Sequence, residues 1–507
     1  MPPQTPSPAT PDLKSFLALA RKKHTLIPVY RTVTADLETP VGAFLRIASE
    51  EPEAFLLESV EGGERVGRYT FIGIRPYRKI ESRGTAITAT EGKKTRQYEG
   101  DVFEELKSAL SEHTPAKLPG LPPFTAGAVG FFAYDVVRQI ERLPETATDE
   151  LGVPDACLMF FDEVLAFDHV KKEIFLILTA DLKREPDATR AYNKAVRRLD
   201  RLEKQLANPL PVAKKRRPLG PLEITPRTPR RDYMKAVDKV KGYITAGDIF
   251  QCVLSQRFDC RPGVAPFDIY RSLRIVNPSP YMYFLRFPMT KPGAKTPTSA
   301  HIVGSSPELL VRVHGSKIEY HPIAGTRPRG DDEASDRRLE EDLLRDTKET
   351  AEHVMLVDLG RNDLGRVSDY GTVEVKKLMF IERYSHVMHL VSALEGKLRP
   401  DLAPIDAFKS CFPAGTLSGA PKIRAMEIIE ELEPTRRGVY GGSVFYADFN
   451  GNLDSCIAIR TLFMHGEDGY IQSGGGVVAD SVPLTEFEET VNKSKAVVRA
   501  IERARNR

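Results

Sequence analysis

With 507 residues, 41% of them hydrophobic, the chain can bury a sizeable core, and its length fits about three domains or one large interleaved body. Its 73 basic residues against 70 acidic ones leave a net charge of +3, without the clustered excess of a nucleic-acid binder, and no apolar run approaches the roughly 20 residues of a membrane helix. Five cysteines, Cys157, Cys252, Cys260, Cys411 and Cys456, form no C-x-x-C pair, which argues against a disulfide framework or a structural zinc site and for a reducing, cytoplasmic setting.

In chain order, residues 1–11 are rich in Pro, Thr and Ser, carry no basic-then-apolar signal pattern, and read with the residues up to 24 as a frayed tail. Residues 25–206 read as an N-terminal domain. Strand-like runs fill it, among them 54–59, 69–73, 157–161 and 174–178, until the pattern turns helical and charged over 188–206. Residues 207–231 hold six prolines and the run Lys214-Lys215-Arg216-Arg217, and read as a solvated basic linker rather than a nucleic-acid patch. The second domain, residues 232–503, opens behind Thr228-Pro229, an N-cap with proline at the first helical position. Tyr233, Val237, Val240 and Ile244 follow at helical spacing. Strands are expected at 251–258, 281–287, 302–303 and 309–313, then a long helix over 335–359, a helix over 421–432 and a last one over 485–503. Between the last two, 441–446, 455–462 and 470–478 read as strands. Strands broken by helices without strict alternation predict an α+β layered fold, not a doubly wound sheet.

Two helices carry paired carboxylates. Glu349 and Glu352 stand three apart on the first, Glu486 and Glu489 three apart on the last, so each pair projects from one face. Arg345 lies four before Glu349, Lys348 four before Glu352 and Lys493 four after Glu489, so intrahelical ion pairs on two solvated faces are one reading. The other is convergence of all four on a cation, without which they would repel one another. Mg2+, which takes oxygen ligands and keeps positions open for an acidic substrate, is the natural occupant. Gly474-Gly475-Gly476 reads either as a flexible turn or as a place where backbone N–H groups approach an anion. Residues 413–421 lead into a helix N-terminus, which favours negative charge. Arg460 ends the apolar run Cys456-Ile457-Ala458-Ile459, reads as a strand residue, and needs a partner that a substrate carboxylate would supply. Together these features point to a magnesium-assisted site for a small polyanionic acid, and spacing alone goes no further.

The residues then match a known family. Gly325-Thr326-Arg327-Pro328-Arg329-Gly330, Ala351-Glu352-His353 running on to Leu356-Val357-Asp358-Leu359-Gly360-Arg361-Asn362-Asp363, the 415–421 loop and Ala458-Ile459-Arg460-Thr461 resemble the chorismate-utilising enzymes. The likeness is strong over about 230–503 and looser over about 25–180, through Leu56-Leu57-Glu58-Ser59, Gly67-Arg68-Tyr69 and Tyr134-Asp135. It implies a two-sheet β-sandwich with outer helices. Two positions point to the anthranilate-forming branch, a lyase of tryptophan biosynthesis. Relatives that add water to chorismate carry a lysine base where this chain has Gln251, and an amide cannot take a proton at neutral pH. Aminodeoxychorismate synthases carry a lysine nucleophile where this chain has Ala324. Direct attack by ammonia remains, giving an aminodeoxyisochorismate intermediate and then loss of pyruvate.

The resemblance also implies roles. Glu352 and Glu489 would hold Mg2+, with Glu349 and Glu486 close by through water, and the metal would take the ring carboxylate of chorismate. Gly474, Gly475 and Gly476 would meet that carboxylate with backbone N–H groups, Tyr440 and Arg460 would hold the enolpyruvyl side, and Gly325 and Thr326 would touch substrate. Glu308 resembles the general acid that protonates the departing hydroxyl, which requires a carboxyl pKa raised by burial or by neighbouring acids. His389 resembles a histidine that assists elimination, and Thr416 would orient substrate or His389. Glu58, Ser59, Pro280, Tyr281 and Met282 resemble a pocket for L-tryptophan as feedback inhibitor. Phe445 departs from the family pattern, standing where a glycine is usual, as do Ser473 and Gly475 where alanines are common. Ammonia implies a separate glutamine amidotransferase small subunit (component II of such enzymes) in a hetero-oligomer, with no nucleic acid and no membrane as partner. Aminodeoxychorismate synthase is the nearest alternative, and a non-catalytic ligand-binding protein on the same scaffold is the alternative from another class.

Overall fold

The computed structural model describes residues 8–59, 67–211, 219–384 and 387–506. Two twelve-stranded sheets, antiparallel throughout, dominate it. The first runs Leu26–Thr34, Glu173–Asp181, Glu163–Asp168, Tyr69–Ile74, Ala54–Glu58, Tyr281–Met289, Thr298–Ser306, Thr461–His465, Asp468–Val477, Gln251–Cys260 and Ile224–Pro226, with Gly419–Ala420 beside Gln251 and Cys252. The second runs Ile323–Pro328, Val387–Lys397, Lys317–Tyr320, Leu309–His314, Leu453–Ile457, Ser443–Asp448, Gly127–Phe132, Ala156–Phe161, Arg78–Arg83, Ala86–Glu91 and Lys94–Glu99, with Glu374–Arg383 added on Val387–Lys397. This is the expected α+β sandwich.

The sheets pack on each other through large apolar side chains, Phe55, Phe131, Phe161, Tyr283 and Phe287 among them. Helices cover the outer faces. Pro40–Ile47, Ala188–Leu206, Pro266–Val276 and Pro483–Arg505 close the first sheet, and Val102–Ser111, Pro404–Cys411 and Thr347–Gly365 the second. Covered on both sides, a strand such as Ala156–Phe161 is buried at every residue, which is why its sequence is a continuous apolar run and not an alternating one.

The two halves of the sequence do not form two bodies. Each sheet is completed across the halves, Glu58 pairing with Met282 in the first and Phe131 with Val444 in the second. The chain also steps from sheet to sheet at short crossings, two of them in its second half. Pro307-Glu308 joins Thr298–Ser306 of the first sheet to Leu309–His314 of the second, and Ala458-Ile459-Arg460 joins Leu453–Ile457 of the second to Thr461–His465 of the first. Both crossings carry residues singled out from the sequence.

Several expectations differ from the structure. The strand expected over 455–462 is two strands, because the sheet crossing falls inside it, and Arg460 sits in the break with a φ of 50°. The helix expected over 335–359 is also two, Glu333–Arg345 and Thr347–Gly365, parted at Asp346. Pro229, not Thr228, takes the N-cap position of Arg230–Ala246. Within the expected tail, Thr10 exchanges backbone bonds with Tyr30, and Leu13–Arg21 is a helix, capped by Asp12, whose Phe16 is fully buried. The first seven residues and the basic run 214–217 lie outside the described residues. Among the described residues no helix is long and apolar enough to cross a membrane.

Candidate active site

The neighbouring strands Gln251–Cys260 and Asp468–Val477 lay the floor of a cavity of about 500 Å3. Helices Thr347–Gly365 and Pro483–Arg505 bring their acidic edges to it, both sheet crossings reach it, and Ile323–Pro328, Val387–Lys397 and the turn Gly415–Leu417 complete its wall. Glu308, Gly325, Thr326, Glu349, Glu352, His389, Thr416, Tyr440, Arg460, Gly474, Gly476, Glu486 and Glu489 all line it, and a Cβ on Gly475 would lie 3.0 Å from Glu486 Oε2. Gln251 and Ala324 are in the wall as well.

The four glutamates face one space, so the reading of two unrelated solvated faces does not hold. Of the three intrahelical pairs expected, one forms: Lys493 Nζ stands 2.6 Å from Glu489. Arg345 turns back to Glu341, Glu349 has Arg327 at 3.6 Å, and Glu352 accepts from Gln251 Nε2 at 2.7 Å. Burial pushes the Glu349 and Glu486 carboxyls up, aided in Glu349 by Glu352. Glu486 Oε2 is buried without a hydrogen-bond partner. As they lie, no three acidic, histidine or cysteine side chains among the described residues are grouped closely enough to hold a metal ion. The donor chemistry nonetheless fits an oxygen-seeking cation, with four carboxylates from two rigid helices and one buried oxygen left unpaired.

Glu308 is buried at the first crossing, and burial pushes its carboxyl up to about 8. Of the two causes expected, burial is the one that acts; the Thr416 hydroxyl, the Ile323 N–H, Arg460 and Lys493 all pull it down and are outweighed. Thr416 donates to Glu308 Oε1 at 2.9 Å, so its partner is the acid and not His389. His389 is instead held through Nδ1, 2.9 Å from Thr326 Oγ1 and 3.3 Å from the Gly325 carbonyl. Burial first, and then Arg460, bring its imidazole down to about 4, so it is neutral at pH 7. Gly325 sits at a bulge between paired strands with a φ of 66°, a conformation that favours glycine. Arg460 is half-buried in the cavity wall with no carboxylate within ion-pair distance among the described residues, a cation in want of an anion.

The glycine triplet is neither turn nor loop. It lies within a strand, with Gly474, Gly475 and Gly476 opposite Ser255, Leu254 and Val253. Side chains there would fill the cavity, since a Cβ on Gly476 would come within 2.5 Å of Gln251 Nε2 and one on Gly474 within 2.8 Å of the Tyr440 hydroxyl. Ser473 donates to the Thr490 carbonyl at 2.7 Å. Beneath the floor, buried Arg437 pairs with Glu433 at 2.6 Å and donates to the carbonyls of Val253 and Leu417, fixing two wall segments at once.

Lys493, Lys348 and Gln472 also line the cavity; the first two were read from the sequence only as ion-pair partners, and Gln472 was not singled out. Lys493 fitted an ordinary pair four residues from Glu489, and that spacing hid its second contact, to the Gly474 carbonyl at 3.0 Å.

A second cavity, of about 630 Å3, opens between the sheets and is lined by Glu58, Ser59, Pro280, Tyr281 and Met282, together with Arg312, Tyr446 and Asp454. Tyr281 donates to Asp454 at 3.1 Å and accepts from Arg312 at 2.9 Å. Glu58 is turned away to the helix Pro266–Val276, where Tyr270 and Arg274 hold its carboxylate. Phe445 belongs to this cavity and not to the first, its ring stacked on Phe132 at 4.9 Å.

Residues 52–499 match the family model for chorismate binding enzymes. The chain is 48% identical over 493 residues to anthranilate synthase component 1 of Acetivibrio thermocellus, covering 95% of this chain and 97% of that one. It is 49% identical over 500 residues to the component 1 protein of Mycolicibacterium smegmatis, covering 97% and 94%. The crystal structure of anthranilate synthase component I from Streptococcus pneumoniae superimposes with a TM-score of 0.75 at 34% identity, covering 92% of this chain and 98% of that one.

Proposed function

The chain belongs to the chorismate-binding enzymes, in the branch of the anthranilate synthase component 1 proteins, and from that premise we propose that its cavity joins ammonia to chorismate and releases anthranilate and pyruvate with the help of Mg2+. The observation that carries the reading is one cavity in which two carboxylate pairs, a protonated buried acid and an unpaired arginine meet. Glu352 and Glu489 would hold the metal, with Glu349 and Glu486 beside them, and the bound ion would neutralise the ring carboxylate of chorismate. Lys493 and Gln251 each engage only the Oε1 atom, of Glu489 and Glu352 respectively, so the other oxygen of each carboxylate could serve the ion.

In the first step ammonia bonds to a ring carbon, both ring double bonds shift, and the ring hydroxyl departs. Glu308, protonated at neutral pH, gives that hydroxyl its proton, and the products are water and aminodeoxyisochorismate. In the second, the ring C–O bond breaks, the ring loses a proton, and the enolpyruvyl methylene takes up a proton to leave as pyruvate, which makes the ring aromatic. His389 is neutral, and with Nδ1 held by Thr326 its other nitrogen is placed to assist that transfer. Arg460 and Tyr440 hold the enolpyruvyl carboxylate. Gln251 and Ala324, where lysine would serve other chemistry, supply neither a base for water nor a nucleophile. Inhibition by L-tryptophan is assigned to the inter-sheet cavity. A separate amidotransferase subunit would supply the ammonia, and the name component 1 carried by the relatives supports that division of labour.

The purified chain, given chorismate, Mg2+ and ammonium at alkaline pH, is expected to form fluorescent anthranilate, and chelation is expected to stop it. Formation of 4-amino-4-deoxychorismate or isochorismate in its place would refute the assignment.

A further inference from the structure

The helix expected as one piece over 335–359 is parted at Asp346, and Arg327 stands at the joint. Asp346 divides its carboxylate between two tasks. Oδ1 accepts from the Lys348 and Glu349 N–H groups, each at 3.1 Å, and so caps Thr347–Gly365, while Oδ2 accepts from Arg327 Nη2 at 2.8 Å. The same guanidinium reaches back to Asp342 at 2.7 Å with Nε, and its Nη1 lies 3.2 Å from the Thr326 carbonyl and 3.6 Å from Glu349 Oε1. One side chain therefore touches the preceding helix, the cap of the next, one glutamate of the cavity and the strand that carries Gly325 and Thr326.

We propose that Arg327 is a positioning residue which, by clamping Asp346, sets where the helix Thr347–Gly365 begins and hence where Glu349 and Glu352 stand toward the divalent cation. The inference rests on the reading of the glutamates as the cation site. The first turn of this helix packs against the strand with little slack. A Cβ on Gly325 would lie 2.8 Å from Leu343 and 3.2 Å from Glu349 Oε2, so a displaced helix start would move Glu349 against the substrate strand. A planar guanidinium serves several carboxylates at fixed angles, whereas a lysine ammonium is a point charge that cannot span them. The contact to Asp342, whose side chain is 63% exposed, is a surface pair of small worth. The contact to Asp346 is the one that transmits position.

Three single variants separate the clamp from general stability: R327K, D346N, which keeps a good capping side chain but loses the charge that Arg327 grips, and D342N. Mg2+ alone is titrated calorimetrically into the substrate-free protein, and half-saturating Mg2+ is measured in the ammonia-dependent reaction. R327K and D346N are each expected to weaken Mg2+ at least about tenfold, the size seen when a partner behind a metal ligand is removed. The double variant is expected to be no worse than either single one, and KM for chorismate at saturating Mg2+ to stay near the wild-type value. D342N is expected to match wild type, and thermal unfolding of each variant verifies that it is folded. Folded R327K and D346N that bind Mg2+ as the wild type does would overturn the clamp alone. A wild type that takes up no Mg2+ would overturn the reading of the glutamates, and the clamp with it.

Discussion

Burial gives Glu308 and His389 opposite protonation habits in one cavity. In Glu308 it disfavours the anion strongly enough to outweigh four groups that favour it, leaving the carboxyl protonated up to about 8. In His389 it disfavours the cation, leaving the imidazole neutral down to about 4. An acid and a base are thus available together at neutral pH. Each also costs stability over a definite range. Between its ordinary value of 4.5 and its folded value, Glu308 keeps a proton that the unfolded chain has lost, so its contribution is full below that range and is lost as pH rises through it. His389 runs the other way, since the unfolded chain takes a proton as pH falls below 6.5 that the folded chain refuses until about 4. Glu308→Gln keeps the shape and removes the ionisation. It is expected to lower kcat by about 100-fold or more, as loss of a general acid does. Near pH 8 it is expected to be more stable than wild type, by on the order of a few kcal/mol. Denaturation of both proteins across the pH range, with anthranilate formation assayed in parallel, decides the matter. A wild type whose stability relative to the variant does not fall between about pH 5 and 8 would remove the raised pKa.

The strand Asp468–Val477 shows how an element makes room for chemistry. Its three glycines do different jobs, and alanine at each should fail differently. At Gly474 the added carbon would lie 2.6 Å from the Leu254 carbonyl of the paired strand, which cannot yield without disturbing the ladder. A loss of about 1–3 kcal/mol in stability is expected there. At Gly476 it would meet Gln251 Nε2, the end of a flexible side chain, so the fold should survive while Gln251 swings away from Glu352 and chorismate binds about tenfold more weakly. At Gly475 it would meet Glu486 Oε2 at 3.0 Å, a small adjustment, and the mildest effect is expected. Thermal unfolding and KM of the three variants test this order, and Gly475→Ala as the least stable would contradict it. The strand was expected over 470–478, although its glycines also read as a turn, and the carboxylate helices were legible from their spacing. The breaks were not. Asp346 parts the helix by capping Thr347–Gly365, with Arg327 of the preceding strand on its other oxygen, and Arg460 ends a strand because the chain changes sheets there. The first cause is a local cap that apolar and charged periodicity runs straight through, and the second is tertiary and leaves no trace in local periodicity. The division into 25–206 and 232–503 failed as a spatial boundary for the same reason, because strand pairing such as Glu58 with Met282 joins positions far apart in sequence.

At the scale of the molecule, the interleaved sheets place the two cavities on either side of shared strand ends. Tyr281, in the inter-sheet cavity, pairs with Ser306, two residues before Glu308 in the other cavity. Ser305 joins the two more directly. Its hydroxyl bonds Asn277 and Ser279, beside the segment that lines the inter-sheet cavity, and its N–H donates to the carbonyl of Arg460 at 3.3 Å. A ligand that shifts residues 277–282 therefore bears on the backbone that aims Arg460. On the proposed function, tryptophan and chorismate occupy different cavities and must weaken one another by the same factor, expected to lie in the range of about 5–150-fold, and the effect must level off at high tryptophan. Ser305→Ala removes the hydroxyl that ties the two segments and keeps the N–H. The affinity for each ligand alone should change little, while the factor between them falls. Calorimetric titration of tryptophan at increasing chorismate, with and without the substitution, measures both. An apparent tryptophan affinity that falls without limit as chorismate rises would mean that the two share one cavity, and an unchanged factor in Ser305→Ala would mean that the coupling runs elsewhere through the sandwich.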